Sequence, residues 1–210
     1  MSEWDRILRE EWYQQEEPEE IVVSFTDLLK RENTKARVLD LGCGAGRHHV
    51  YMAGKGLETH GIDISKTGLN LTRERLKRRE SQVYLARCDM KALPYVDSCF
   101  DAVICLNVVY HQKLEQIQRT ISEIHRLLER KGLVLMNFLS NRTYSYGKGT
   151  EVEEGTFVEQ EGAERGVLHH FTDREEIEHL FNRFRIIDLR LAEKEVEGKL
   201  RSRWIVTARA

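Results

Sequence analysis

The sequence predicts an α/β fold with a mostly parallel β-sheet, on the strength of two observations. Short apolar runs alternate with amphipathic, charged segments, which is the pattern of parallel strands joined by crossover helices. The apolar runs are rich in Val, Ile and Leu, as expected of strands that are buried on both faces. Because the chain has 210 residues, 40% of them hydrophobic and 32% charged, we expect a single globular domain over residues 1–210.

Two helices are predicted before the first strand, and they form an N-terminal helical segment over residues 1–31. The first helix spans 3–14. The second spans 19–31 and begins after Pro18, where a proline and the acids that follow it suit the first turn of a helix.

Five strands and the helices between them follow in alternation. The helices are predicted to begin near Gly46, Ser65 and His111, with Ser65 as an N-cap. The charged run that follows Ser65 overlies a thin apolar stripe, and we interpret it as a solvated helix face. The strands are predicted at 37–41, 58–62, 83–88, 100–106 and 132–139.

The regular alternation stops after the fifth strand. Residues 140–170 carry five glycines and scattered acids, and a segment of this length in a compact domain is usually a functional loop or lid. We expect a substrate or lid insertion here, with a variable surface excursion as the alternative. A helix is then predicted at Thr172, in a capping-box pattern, and strand-like runs at 184–191 and 203–209 predict a terminal antiparallel hairpin.

Composition limits the partners and the compartment. The formal net charge of −2 gives no one-sided basic field, which argues against a nucleic-acid partner. The four cysteines form no CxxC pair, which favours thiols in a reducing compartment and therefore the cytoplasm. No apolar run has the length of a signal peptide or a membrane span, so neither export nor membrane insertion is expected. The oligomeric state does not follow from the sequence.

The stretch VLDLGCGAGRHH, residues 38–49, carries the first chemical signal. An apolar strand runs into alternate glycines, where the backbone can approach a ligand closely because no Cβ intervenes. A dinucleotide-binding pattern would place its third glycine at position 47, which is Arg47 here. Asp40 precedes the glycines, and a negative charge there favours a cofactor that carries a positive charge.

Further acids end the next strands. Asp63 closes the second predicted strand, in the position from which a carboxylate can accept both hydroxyl groups of a ribose. Asp89 follows the third strand, and Leu106 and Asn107 end the fourth. Open α/β sheets bind their ligands at this carboxyl edge, so the ordered set predicts one binding site.

The motifs VLDLGCGAGRH, GIDIS, ARCDM and FDAVICLNVVYH, in this order and spacing, resemble those of class I S-adenosylmethionine-dependent methyltransferases. The resemblance covers residues 35–139 at the level of motifs and extends more loosely to residue 210. Within the class, the chain is most similar to small-molecule enzymes of the tellurite-resistance type. The resemblance implies a three-layer, doubly wound, Rossmann-like sheet of seven strands whose last strand is antiparallel. It also implies S-adenosylmethionine as the cofactor and a small molecule as the methyl acceptor.

The resemblance assigns roles to individual residues of the predicted site. Asp40 would lie near the ammonium of the cofactor, Asp63 would take the ribose hydroxyls, and Asp89 would bind the adenine amino group. Ile64 would cover one face of adenine with Met90 beside it, although Met90 could equally be core filler. The cofactor-binding residues implied are Asp40, Gly42, Cys43, Gly44, Gly46, Arg47, Asp63, Ile64, Asp89, Met90 and Leu106.

The implied reaction is an in-line displacement at a methyl group, which needs a base only if the acceptor must lose a proton. The candidate bases are Tyr110, His111, His169 and His170, each of which could also be an ordinary packed or solvated side chain. No metal site is predicted, because the paired histidines lack the i, i+4 spacing that places two ligands on one helical face.

Two histidines and several aromatic residues lie close to the predicted cofactor residues in sequence. His48 and His49 fall in the first turn of the helix after the glycines, and we expect neither to be catalytic. Trp4, Trp12 and Tyr13 could fold the N-terminal helix over the cofactor, or could only pack that helix on the sheet.

The sequence leaves three alternatives to a small-molecule methyltransferase. One is a module that binds the cofactor without catalysis, and another is an NAD-dependent oxidoreductase, which the glycine spacing and Asp40 disfavour. The third is an enzyme that methylates nucleobases, because Asn107 and Tyr110 have the spacing of the Asn-Pro-Pro-Tyr signature. Both prolines are missing, so the rigid backbone of that signature is in doubt.

Overall fold

A computed structural model of the chain describes residues 2–210 and confirms the predicted α/β fold class. The sheet is mostly parallel, with antiparallel strands at its C-terminal end. The residues form two compact units, one within 2–104 and 127–132 and the other within 105–126 and 133–210. The organisation of residues 1–210 as one domain stays a prediction.

The first unit contains the parallel strands in the order β3, β2, β1, β4. The central strand β1, with the sequence RVLDL, is buried at four of its five positions, which explains why its apolar run was visible in the sequence. The elements are α1 (Glu3–Ile7), a 3-10 helix (Glu11–Gln14), α2 (Glu20–Glu32), β1 (Arg37–Leu41), α3 (Arg47–Gly54), β2 (Glu58–Asp63), α4 (Lys66–Arg78), β3 (Tyr84–Arg87) and β4 (Phe100–Cys105).

The predicted helix over 3–14 is wrong in its continuity, because the chain turns between α1 and the 3-10 helix. The side-chain amide of Gln14 donates to the carbonyl oxygens of Leu8 and Arg9, at 3.1 and 3.2 Å. These bonds satisfy carbonyl groups at the end of α1 that have no partner within the helix. The break is therefore a stabilised corner in the chain.

The second unit contains the C-terminal strands. Strand β10 pairs antiparallel with both β5 and β9, which confirms the antiparallel last strand and the terminal hairpin. The remaining elements of the chain are α5 (Leu114–Leu127), β5 (Leu128–Ser140), β6 (Thr150–Glu153), β7 (Thr156–Val158), β8 (Leu168–Thr172), α6 (Arg174–Leu180), β9 (Arg185–Val196) and β10 (Lys199–Arg209).

The segment 140–170 adds three short strands, β6, β7 and β8, to the seven that the sequence analysis expects. Strand β8 pairs parallel with the end of β5, β7 pairs antiparallel with β8, and β6 pairs antiparallel with β7. The described residues therefore form ten strands, which are the seven expected ones and these three. Tyr110, Leu139, Phe157 and Phe171 form a buried cluster that holds these strands. The insertion is thus a folded part of the second unit.

Of three predicted helix starts, the one at Ser65 is confirmed, and those near His111 and at Thr172 differ from the structure. Ser65 is the N-cap of α4, as predicted, and its hydroxyl accepts from the amide of Gly68 at 3.1 Å. The helix expected near His111 begins instead at Leu114. The cap of α6 is Asp173 and not Thr172, because the Thr172 hydroxyl donates to the carbonyl of Leu139 in the neighbouring strand.

The cysteines and the lengths of the helices bear on the predictions about disulfides and membrane spans. None of the four cysteines takes part in a disulfide. Within residues 2–210, every helix falls short of the length and apolar character needed to cross a bilayer.

Candidate functional site

The glycine turn between β1 and α3 has a backbone that L-residues other than glycine rarely adopt. Gly42, Gly44 and Gly46 have φ angles of 78°, 52° and 83°, in the left-handed region that favours glycine. The amide groups of Gly42 and Cys43 both donate to the carbonyl of Ile62, at 2.7 and 3.0 Å. These bonds attach the turn to the end of β2 and fix its position beside Asp63.

Asp40 and Asp63 are two buried acids at this turn. Burial, together with the charge of Asp63, raises the pKa of Asp40 to about 7, and Arg47 opposes the shift. Oxygen Oδ2 of Asp40 is buried and has no hydrogen-bond partner among residues 2–210. An unpartnered carboxylate oxygen in the protein interior is costly, so this position favours a ligand with a positive charge or a hydrogen-bond donor.

Asp63 is partly satisfied by backbone groups. Its Oδ2 accepts from the amide of Gly44 at 2.8 Å, and its Oδ1 accepts from the amide of Ser65 at 2.7 Å. Burial still raises its pKa, against the effect of these hydrogen bonds. Because each carboxylate oxygen has two lone pairs, Asp63 keeps acceptor capacity for the hydroxyl groups of a ligand.

The other predicted cofactor residues of the first unit are more exposed. Ile64 is 42% exposed although it is a large hydrophobic residue, which leaves its side chain available to an aromatic ring. The Asp89 carboxylate accepts from the amide of Lys91 and pairs with its ammonium, at 3.0 and 3.1 Å. Met90 is half-buried.

The N-terminal segment packs against the glycine turn. A Cβ atom at Gly44 would lie 3.7 Å from the Leu8 side chain, and one at Gly68 would lie 2.8 Å from it. The guanidinium of Arg75 donates to the carbonyl of Ala45 at 2.7 Å and to that of Gln15 at 3.1 Å. We call residues 2–15 the cover, because they pack against the glycine turn; that they fold over a bound cofactor stays a prediction.

The side chain of Arg47 also faces this segment. Its guanidinium forms an ion pair with Glu19 and donates to Gln15 Oε1 at 3.0 Å. Arg47 therefore joins the start of α3 to the N-terminal segment, and its predicted role in cofactor binding stays a prediction. Trp12 is 67% exposed and does not contribute to the packing of the cover.

Asp5 anchors the cover to the start of α4. Its Oδ1 accepts from the Ser65 hydroxyl at 2.8 Å and the Thr67 amide at 3.0 Å, and its Oδ2 accepts from the Ser2 amide at 2.9 Å. Burial opposes ionisation, but these hydrogen bonds outweigh it and hold the pKa of Asp5 well below its usual range. The carboxylate is therefore ionised, and its anchoring contribution persists, at any pH above its ordinary pKa.

Replacing Asp5 with alanine is expected to release the N-terminal cover without unfolding the protein. Loss of the charged hydrogen bonds should speed amide exchange in residues 2–15 by roughly 10- to 100-fold, equivalent to about 1–3 kcal/mol. Hydrogen-deuterium exchange at pH 6 and pH 8 measures this, and the effect should be equal at both. Glu3→Ala, at an exposed neighbouring position, is the control, and equal protection in both variants would contradict the anchor.

His48 and His49 are buried in the first turn of α3. Burial, followed by the charge of Arg47, lowers the pKa of His48 to about 3, and burial with His60 lowers that of His49 to about 4. His49 Nε2 lies 3.4 Å from the Thr59 hydroxyl. Both imidazoles are neutral at physiological pH and pack in the first unit, in keeping with the expectation that neither is catalytic.

Asn107, just after the end of β4, has a backbone conformation that is uncommon for residues other than glycine. Asn107 has a φ of 61°, and its Oδ1 accepts from the Asn137 amide at 3.0 Å and from the Arg203 guanidinium. The backbone amide of Asn107 in turn donates to Asn137 Oδ1 at 2.7 Å. The side chain is thus held by its neighbours, so the interpretation as a nucleobase-methylating signature gains no support. Leu106, beside it, is buried.

Three of the four candidate bases, Tyr110, His111 and His169, have their rings close together. The rings of Tyr110 and His111 lie 4.5 Å apart between centroids, and those of His111 and His169 lie 4.9 Å apart. His111 Nδ1 donates to the carbonyl of Leu168 at 3.0 Å, and His169 Nε2 lies 2.7 Å from Glu164 Oε2. Burial lowers the pKa of His111 to about 4, so its imidazole is neutral.

His170, the fourth candidate base, contacts other residues than Tyr110, His111 and His169 do through its ring nitrogens. Its Nδ1 is 2.6 Å from the Thr156 hydroxyl and its Nε2 is 2.7 Å from Glu176 Oε1, and the residue is only 1% exposed. Both ring nitrogens are therefore used to tie β8 to β7 and α6. This arrangement explains His170 as a structural residue.

Sequence reasoning did not single out four residues that the structure places in these networks: Asp5, Asn137, Glu164 and Arg203. For Asp5 a signal was present, since Ser2 and Asp5 have capping-box spacing and do form that box. The other three have no local pattern, because their partners lie far away in the chain.

Comparison with known proteins gives a consistent result. Residues 38–132 match the model of a family described as a methyltransferase domain. The Bacillus subtilis methyltransferase-like protein YqeM is 30% identical over 130 residues, which are 60% of this chain and 50% of that protein. A crystal structure of a SAM-dependent methyltransferase from Methanosarcina mazei has a TM-score of 0.76 at 21% identity, covering 92% of this chain and 98% of its own. The resemblance to class I S-adenosylmethionine-dependent methyltransferases is confirmed.

The methyltransferase match covers the residues that carry the site. The matched range 38–132 includes Asp40, Asp63, Asp89 and Leu106. TehB from Haemophilus influenzae also has the same fold, with a TM-score of 0.67 at 14% identity over 89% of this chain and 61% of its own. The chain spans about half the length of the curated relatives that it matches, at 50%, 44% and 58% for three of them.

Proposed function

We propose that this chain is an S-adenosylmethionine-dependent methyltransferase that acts on a small-molecule acceptor. The observation that carries the proposal is the buried, unpartnered Oδ2 of Asp40 at the glycine turn, with the second buried acid, Asp63, at the end of β2. Two acids with raised pKa values favour a cationic ligand over an anionic one. This preference fits a sulfonium cofactor with an ammonium group and opposes a pyrophosphate such as that of NAD.

The residues of the turn would hold the cofactor by its polar ends. Asp40 would accept hydrogen bonds from the ammonium group, and Asp63 would accept them from the ribose hydroxyls. The bound cofactor supplies a methyl carbon on a positively charged sulfur, at which an in-line displacement can occur. Gly42 and Gly44 keep the backbone free of Cβ atoms where it approaches the ligand. Ile64, with Met90 beside it, would cover the adenine, Asp89 would bind its amino group, and Leu106 would line the methionine portion.

The candidate bases of the proposed reaction lie in the second unit. His111 and His169, with Tyr110 beside them, bring proton-accepting nitrogens together on segments that follow β4 and precede α6. A neutral imidazole can take a proton from a hydroxyl, thiol or ammonium acceptor as the new bond to carbon forms. We accordingly assign His111 and His169 as the candidate bases and leave His170 out.

The proposed partner is a small molecule, and the proposed compartment is the cytoplasm. The near-neutral net charge of −2 supports a partner other than nucleic acid. The absence of disulfides among the four cysteines supports a reducing compartment. A cofactor-binding module without catalysis remains the main alternative, since the same turn and acids would serve it.

Transfer of a labelled methyl group tests the proposal. The purified chain is incubated with methyl-labelled S-adenosylmethionine and the small-molecule fraction of a cell extract, and labelled products are detected by mass spectrometry. We expect a labelled product with the wild-type chain and at least a tenfold lower yield with Asp63→Ala, since a lost charged hydrogen bond costs about 1.5–3 kcal/mol. Cofactor binding without any labelled product across several extracts would favour the binding module.

A further inference from the structure

We propose that His111, Glu164 and His169 form a binding site for a divalent transition-metal ion. One potential ligand atom from each side chain lies within 4.8 Å of the others. The set comprises two imidazoles and one carboxylate, a combination found in catalytic zinc sites. The three residues come from the segment after β4, the loop before β8 and β8 itself, so only the folded second unit assembles them.

The hydrogen bond of His111 prepares its imidazole for metal binding. A carbonyl oxygen can only accept, so the 3.0 Å contact with Leu168 requires the proton of a neutral His111 to be on Nδ1. The lone pair is then on Nε2. Metal-binding histidines usually donate their second nitrogen to a carbonyl or carboxylate in this way, which fixes the tautomer and the orientation of the ring.

His169 and Glu164 are already in direct contact. The Nε2 of His169 lies 2.7 Å from Glu164 Oε2, while its Nδ1 lies 4.0 Å from Glu159 Oε2. An ion bound to both groups would lie between Nε2 and Oε2 and would separate them slightly. Glu159 is beyond hydrogen-bond distance from Nδ1, so its side chain would have to move closer to become the outer carboxylate expected of a histidine bound to zinc.

The donor set selects the class of ion. Imidazole nitrogens favour Zn²⁺, Co²⁺, Ni²⁺ and Cu²⁺, whereas Mg²⁺ and Ca²⁺ favour sites built from oxygen alone. Three protein ligands leave at least one coordination position open in a tetrahedral zinc site. If that position takes a hydroxyl or thiol of the acceptor, the ion would lower the pKa of that group, and the two imidazoles would then act as ligands in place of the role as bases proposed for the metal-free chain. This last consequence rests on the proposed function, whereas the metal site does not.

Metal titration of the untagged full-length chain tests the proposal. After removal of metal with a chelator, the chain is titrated with Zn²⁺ in competition with a chromophoric chelator, and with Co²⁺ while visible absorption is recorded. We expect one tight site per chain and the intense absorption bands of Co²⁺ in a tetrahedral field. Glu164→Gln should weaken binding at least tenfold, and His111→Ala should abolish the Co²⁺ spectrum.

Matched controls separate loss of the ligand from loss of the fold. Glu164→Gln keeps a group that can accept from His169, and circular dichroism would check its fold. Glu161→Gln changes an exposed acid of the same loop, and His179→Ala removes an exposed histidine of α6. Both controls should bind like the wild type. Binding that is absent in the wild type, or equal in Glu164→Gln and Glu161→Gln, would overturn the site whether or not methyl transfer is observed.

Discussion

Asp40→Asn is expected to weaken S-adenosylmethionine binding by roughly 10- to 100-fold. The variant loses a charged hydrogen bond to the ammonium group, a contribution of about 1.5–3 kcal/mol. The wild-type affinity should also rise between pH 6 and pH 8, because Asp40 must ionise and its pKa is about 7. The variant lacks this group, so its affinity relative to the wild type should fall as the pH rises. Isothermal titration calorimetry at both pH values measures the ratio.

The same substitution should have the opposite effect on stability. The pKa of Asp40 rises from an ordinary value of 3.8 to about 7 in the fold, so the folded chain holds a proton that the unfolded chain has released. Stability is therefore lost as the pH rises from about 4 to 7, by up to about 4 kcal/mol at about 1.4 kcal/mol per pKa unit. Asp40→Asn removes this loss, and its unfolding free energy at pH 8 should exceed that of the wild type by up to about 4 kcal/mol.

Asp27→Asn provides the control for both measurements, because Asp27 is exposed on α2. It should bind the cofactor and unfold like the wild type at both pH values. Any titration of the ligand itself is common to all three proteins and cancels in the ratio of affinities. Equal cofactor affinity in Asp40→Asn and Asp27→Asn would show that Asp40 does not contact the ammonium group.

Gly46→Ala is expected to destabilise the protein by about 2–5 kcal/mol. A Cβ atom at this position would lie 2.5 Å from the Thr72 hydroxyl oxygen, and the φ of 83° is unfavourable for alanine. The left-handed backbone costs about 1–2 kcal/mol and the overlap about 1–3 kcal/mol. Because the Thr72 hydroxyl donates to the Gly44 carbonyl at 2.8 Å, the overlap should also disturb the turn. Urea denaturation measures the change.

Gly56→Ala is a closely matched control for this substitution. Gly56 has almost the same φ, 84°, but a Cβ atom there would meet nothing within 4 Å. It should lose only the backbone contribution of about 1–2 kcal/mol. The difference between the two variants therefore isolates the contact between the turn and α4. If both variants lose the same stability, the close packing of Gly46 on Thr72 is not a constraint.

The central part of the fold could be predicted because its strands are buried on both faces. Strands β1, β2 and β4 fall within one residue of their predicted limits. In β1 and β4 the residues are mostly apolar, as expected of strands that are buried on both faces. Strand β6, Thr150–Glu153, was not predicted because it is short and mostly exposed. Its place depends on pairing with β7, and local sequence carries little information about such pairing.

The candidate site was predictable where chain order determines position. Asp40 and Asp63 lie near the carboxyl ends of the adjacent parallel strands β1 and β2, so their proximity is a consequence of topology. The convergence of His111 and His169 with Glu164 was not predictable, because no spacing rule relates residues on separate loops. No metal site was predicted because the paired histidines lack the spacing that places two ligands on one helical face. His111, Glu164 and His169 come together from three separate segments of the chain.

Titration of the wild-type chain with S-adenosylhomocysteine and with NAD tests the central claim most directly. S-adenosylhomocysteine keeps the ammonium group and the ribose that Asp40 and Asp63 are proposed to bind, whereas NAD carries a pyrophosphate. Calorimetry should give a dissociation constant in the roughly micromolar range for S-adenosylhomocysteine and no measurable binding of NAD. Binding of NAD without binding of S-adenosylhomocysteine would contradict the account.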